Sequence, residues 1–294
     1  MFDLRYHVAS LAAVFFALVI GILVGVALAS HGLGDPERKT LQRDLDRSQK
    51  QIDTLKAQVA EGGTDAAYVD KTYSAIISGR LAGKHVAVLF IGSVDSKTRN
   101  AIDQTLEDAG GSVLRLRAIT VPVDAHALEQ ALAKRPQLAS LATGSDHLAK
   151  IGRELADEFA VGSDTSVWNA LEQQLVEERS GSGKKPADAV IVVRSALPQR
   201  DGTAKFLHGL LSELTDLSLP VVGIERTGTK PSAVPVYRKV GLTSVDDVDL
   251  KVGRVALAVL LSGPDPGSGH YGLQPGEDVL PDVTTAPPTT TTGG

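Results

Sequence analysis

The longest unbroken apolar stretch of this chain lies near its start. From Val8 to Ser30 no charged side chain occurs, and at about 1.5 Å per helical residue such a run can cross a hydrocarbon core roughly 30 Å thick. The pattern predicts a membrane anchor over residues 1–31. A cleaved signal peptide is the alternative, because Ala27-Leu28-Ala29 has the small-x-small form of a cleavage site, although the run is longer than a usual signal core. Ala9, Ala13, Ala17, Gly21, Gly25 and Ala29 recur every fourth position, the spacing at which small side chains let two helices approach closely in lipid. A self-associating helix is expected. Only Ser10 is markedly polar within the run, so the helix is an anchor and not a pore wall.

A narrower periodicity follows over residues 32–62. Asp35-Pro36-Glu37 has the form of a helix start, and Leu41, Leu45, Ser48, Ile52, Leu55 and Val59 then alternate steps of four and three. That seam predicts a short coiled coil, and hence a parallel homodimer, because the preceding anchor raises its local concentration. The alternative is an amphipathic helix packed on its own domain.

From residue 63 to 277 the pattern becomes that of an α/β domain. A helical segment near Ala66 to Leu81 precedes His85 to Ile91, a continuous apolar strand of the kind found where both faces of a parallel sheet are covered. A helix containing Ala101, Ile102, Leu106 and Ala109 leads to a second strand, Ser112 to Ala118. Alternation resumes with a strand at Ala189 to Val193, a helix at Thr203 to Leu214 and a strand at Val221 to Ile224. A doubly wound, Rossmann-like, mostly parallel sheet is predicted. Between its halves Asp124 to Glu178 reads as helical and polar, and Lys184-Lys185-Pro186 closes it, which makes about 124–186 a helical insertion. The Thr/Pro-rich tail, 278–294, has too little apolar surface to fold and is expected to be disordered.

Composition narrows the chemistry. The chain has 294 residues and a formal net charge of -5, with no basic face of the kind nucleic acid requires. It contains no cysteine, and its single methionine is Met1, which excludes disulfides, thiolate metal sites and the soft sulfur ligands that select Cu(I). The seven histidines form no i, i+4 pair and no H-E-x-x-H motif, so any metal site has to be assembled in three dimensions. Gly92 to Thr98 sits where a strand meets a helix, yet matches neither a dinucleotide nor a P-loop fingerprint. Ser93, Asp95 or Ser96 is therefore read as a helix cap. Asp246, Asp247 and Asp249 cluster before Gly253-Arg254, a placement favoured by a helix dipole, with hard-cation coordination as the alternative. No nucleophile signature is present, and the chain is not expected to be an enzyme.

The opening F-D-L-R-Y-H-V-A-S-L-A-A-V-F-F-A-L-V-I-G-I-L-V-G, the coiled coil after it, Thr243 to Asp249 with Gly253-Arg254, and Gly269-His270-Tyr271-Gly272 together resemble the mycobacterial copper transport protein (MctB) family. That resemblance spans nearly the whole chain. It implies a role in copper homeostasis or export, with the C-terminal domain on the outer side of the cytoplasmic membrane; members of the family are also described as outer-membrane channel proteins. Copper enters by resemblance alone, and no other cofactor is expected. Without sulfur ligands, copper would rest on histidine and carboxylate side chains. A second function is also consistent with the sequence: a non-catalytic dimeric scaffold or regulator that presents its α/β domain to a partner in the envelope.

Overall fold

The computed structural model describes residues 17–26, the isolated positions Arg43, Arg47 and Lys50, and residues 69–282 with breaks at 163–164, 195–196 and 264–267. The chain divides into two units, Met1–Ala67 and Tyr68–Gly294. In the first, residues 17–26 are helical and their apolar side chains are exposed, Leu23 by 64%. Among the described residues no helix is long and apolar enough to cross a membrane. The rest of the expected span, with Ala9, Ala13 and Ala29, lies outside the described residues, as does the whole seam from Leu41 to Val59.

The second unit is built on one seven-stranded sheet. Its strands are β1 (His85–Ile91), β2 (Ser112–Ile119), β3 (Val176–Gly181), β4 (Ala189–Arg194), β5 (Val221–Ile224), β6 (Thr243–Val245) and β7 (His270–Tyr271), in the spatial order β3-β2-β1-β4-β5-β6-β7. Every neighbouring pair is parallel except β2 and β3. The helices are α1 (69–77), α2 (Ser96–Ala109), α3 (Ala125–Ala133), α4 (His147–Val161), α5 (Ser166–Leu175), α6 (Asp201–Asp216), α7 (Val234–Lys239) and α8 (Lys251–Ser262).

Strand β1 is central and nearly all buried, which explains its continuous apolar run. Because side chains alternate across a strand, Ala87, Leu89 and Ile91 enter one core with α3 to α6, while Val86, Val88 and Phe90 enter the other with α1, α2 and α8. Helix α2 starts where the carboxylate of Asp95 accepts from Thr98 N at 2.9 Å. It stops at Gly110, whose φ of +80° is a left-handed conformation that suits glycine. Asp95 is thus the cap expected from the sequence.

The structure alters three of the expected boundaries. Residues 125–175 are not a satellite insertion: Leu128, Leu132, Ile151, Leu155, Phe159 and Trp168 are buried, so these helices form the layer over one sheet face. The strand β3 that follows them, where the sequence predicts helix as far as Glu178, is a polar, largely exposed edge strand. The tail begins later than Asp278, since Asp278 O accepts from Gly272 N at 2.9 Å and Pro281 is buried. Residues 283–294 lie outside the described residues.

Helix α5 has no side-chain cap of its own. Buried Glu158, from α4, takes that place by accepting from Ser166 Oγ and from the Val167 and Trp168 amides at 2.9–3.1 Å. Glu158→Ala leaves those amides unpaired, and an expected loss of about 3 kcal/mol is checked by urea denaturation of the full chain in detergent.

Candidate functional site

Two polar regions lie at the carboxyl ends of the parallel strands, where doubly wound sheets bind ligands. The first is the switch point beside β1. A groove there is lined by Ser93, Thr120, Pro122, Glu177, Leu197 and Gln199. Ser93 Oγ donates to Glu177 Oε2 at 3.2 Å. Asp95 is taken up by its capping role, with Arg226 Nη1 at 3.7 Å; burial pushes its carboxyl up, but the hydrogen bonds from Thr98 and the Lys97 amide, with the charge of Arg226, outweigh it and hold the carboxyl below the usual range.

The second region holds the acidic motif. Asp246 and Asp247 follow β6 and are buried, Asp247 completely. Asp246 accepts from the Leu273 and Gln274 amides at 2.9 and 3.2 Å, so it fastens the C-terminal segment across the sheet end. Glu225, at the end of β5, joins it by accepting from Ser232 Oγ, Ala233 N and Gln274 Nε2. Glu277 comes back from the same segment and meets Arg238 at 3.3 Å. Asp249 is tied separately, accepting from Thr227 N at 2.7 Å.

Asp247 stands apart because both its carboxyl oxygens are buried without a hydrogen-bond partner. Burial first, and then the charges of Asp246, Asp249 and Glu277, push its carboxyl up to about 7. Burial also raises Glu225 and Glu277, with Asp246 adding to both. His270, whose Nδ1 lies 2.9 Å from Ser244 Oγ, is lowered by burial and then by Arg238. Gly253 is explained by close approach, since any Cβ there would overlap the Asp247 carbonyl and carboxyl groups. Arg254 turns to the other side and donates to Gln104 Oε1 at 2.6 Å, which joins α8 to α2.

The acidic motif is therefore a structural junction, more elaborate than a helix-dipole effect. Its outer members, Glu225, Gln274 and Glu277, were not singled out in the sequence, because each lies far along the chain from Asp246. Among the described residues no group of three His, Cys, Asp or Glu side chains stands ready to hold a metal ion. His7 and His31 lie outside the described residues.

Fold and site together define a doubly wound α/β domain, preceded in sequence by an apolar helix, with polar clusters at the sheet's carboxyl edge and no recognisable catalytic constellation among the described residues. The family described as "Copper transport outer membrane protein, MctB" matches residues 1–281, and the chain belongs to it. Proteins named copper transporter MctB from Mycobacterium bovis and Mycobacterium tuberculosis are each 25% identical to it over 308 aligned residues, 92% of this chain and 96% of the relative.

Proposed function

We propose that the chain is an envelope protein of copper homeostasis or transport, held in the cytoplasmic membrane by Val8 to Ser30 and carrying its α/β domain on the extracytoplasmic side. The single observation behind this reading is the family match over residues 1–281. The domain's open, mostly parallel sheet differs from a closed antiparallel membrane barrel, so the reading assigns copper handling to a domain at the membrane surface and not to a pore through it. Residues 32–62 then act as a dimeric stalk, and the domain carries out no catalysis.

Cells that lack the chain are expected to tolerate less copper, with tolerance restored by the full chain and not by a version without residues 1–31. Equal tolerance in all three would contradict the reading. Protease added to spheroplasts should cleave the domain from outside, and protection would reverse the proposed topology.

A second reading, a non-catalytic scaffold or regulator working through an envelope partner, is favoured by the helix at 17–26. Ala17, Gly21 and Gly25 share one regular helix, with open space beside both glycines where another helix can pack. On this reading, loss of the chain leaves copper tolerance unchanged, while cross-linking through position 21 still captures a dimer.

A further inference from the structure

A groove between α6 and α7 combines an apolar lining with positive charge that has no counterpart. Leu207, His208 and Leu211 lie within one turn of α6, and Val236 and Lys239 lie one turn apart on α7, with Val240 at its end. These two faces do not close on each other. With Arg194 they line a space of about 330 Å³, within the size range of small-molecule sites. Leu207 and Leu211 are buried and Val236 and Val240 half-buried, while His208 and Lys239 are exposed.

Arg194 is the last residue of β4, so it stands at the carboxyl edge of the sheet, where doubly wound folds bind ligands. Its backbone is held in place: its amide donates to Tyr237 Oη at 2.9 Å, and that buried hydroxyl donates to Val192 O at 3.3 Å. The side chain is half-buried, yet it donates only one long bond, from Nη2 to Leu197 O at 3.4 Å. Among the described residues no carboxylate pairs with Arg194, His208 or Lys239, and none lines the groove. Arginine is rarely taken out of water without an anionic partner. Burial accordingly pushes the Arg194 guanidinium below its usual range.

We propose that this groove binds a small single-chain amphiphile, its anionic head held by Arg194 with His208 and Lys239 and its chain lying on Leu207 and Leu211. Charge complementarity selects the occupant. An inorganic anion would leave the leucines bare, and a neutral chain would leave the guanidinium unpaired. A carboxylate or phosphate head accepts two N–H groups from the planar guanidinium at once, while the apolar chain covers the faces of α6 and α7. The site is independent of the copper reading, and either can fail without the other.

The test uses the full chain in phosphatidylcholine nanodiscs, dialysed to equilibrium against labelled decanoate and decyl phosphate, with empty nanodiscs as the blank. Saturable binding of one molecule per chain is expected, and the tighter of the two probes tells a fatty acid from a phosphorylated lipid fragment. Decanol, which keeps the chain and lacks the charge, and inorganic phosphate, which keeps the charge and lacks the chain, should each bind at least about tenfold more weakly. Arg194→Gln should weaken decanoate or decyl phosphate binding by a similar factor. Exposed Lys239 makes Lys239→Glu a variant that folds, and it should weaken binding too. Retention no greater than that of empty nanodiscs overturns the proposal. So does undiminished binding by the Arg194→Gln, Lys239→Glu double variant, or equally tight binding of decanol or of inorganic phosphate.

Discussion

Replacing Asp247 with asparagine is expected to stabilise the protein above neutral pH and to flatten its pH dependence. The carboxyl is fully buried, unpaired and raised to about 7 by burial and by Asp246, Asp249 and Glu277. A carboxyl raised in the folded state binds its proton more tightly there than in the unfolded chain. The stability it contributes is therefore present below the ordinary carboxylate range, near 3.8, and is lost as pH rises through about 7. Each tenfold change in proton affinity corresponds to about 1.4 kcal/mol, so a shift from 3.8 to about 7 makes removing the charge worth about 4 kcal/mol at pH 8 and little at pH 4. Urea midpoints of wild type and Asp247→Asn between pH 4 and 8 measure this. Parallel curves would mean that the carboxylate is stabilised by something this account lacks.

Gly209→Val should cost about 3 kcal/mol or more by overpacking. Helices α4 and α6 cross where Gly152 and Gly209 meet the opposite backbone. A Cβ at residue 209 would overlap the Ala149 carbonyl, and one at 152 would overlap the Phe206 carbonyl and crowd the Leu210 amide. Backbone cannot move aside as a flexible side chain can, so the helices must separate. That separation opens the core containing Leu155, Phe206 and Leu210. Denaturant titration of the full chain reads the loss. Wild-type stability in the variant would contradict so close a crossing.

The central strands were legible because burial on both faces leaves a plain apolar run: β1 and β5 fall where the sequence places them, and Asp95 with Gly110 brackets α2 by ordinary capping chemistry. Strand β3 was not legible, since an edge strand written Val-Glu-Glu-Arg-Ser-Gly buries almost nothing and carries no apolar signal. Strands β6 and β7, of three and two residues, are too short to show a period. At the sites, local chemistry could be read and distant partners could not. The cluster of Asp246, Asp247 and Asp249 was visible, but Gln274, Glu277 and Glu225 reach it only through folding. Glu158 caps a helix other than its own, and His147 meets Glu129 only because α4 returns beside α3. The histidine spacing in the sequence gives no hint of that meeting.

The most direct test of the copper reading is the copper content of cells under copper load, measured by mass spectrometry in a strain lacking the chain, in the same strain carrying the wild-type chain, and in the parent. The account predicts excess cell-associated copper without the chain and a return to the parental level when it is restored. Equal copper in all three strains would contradict a copper function and leave the dimeric scaffold as the reading to pursue.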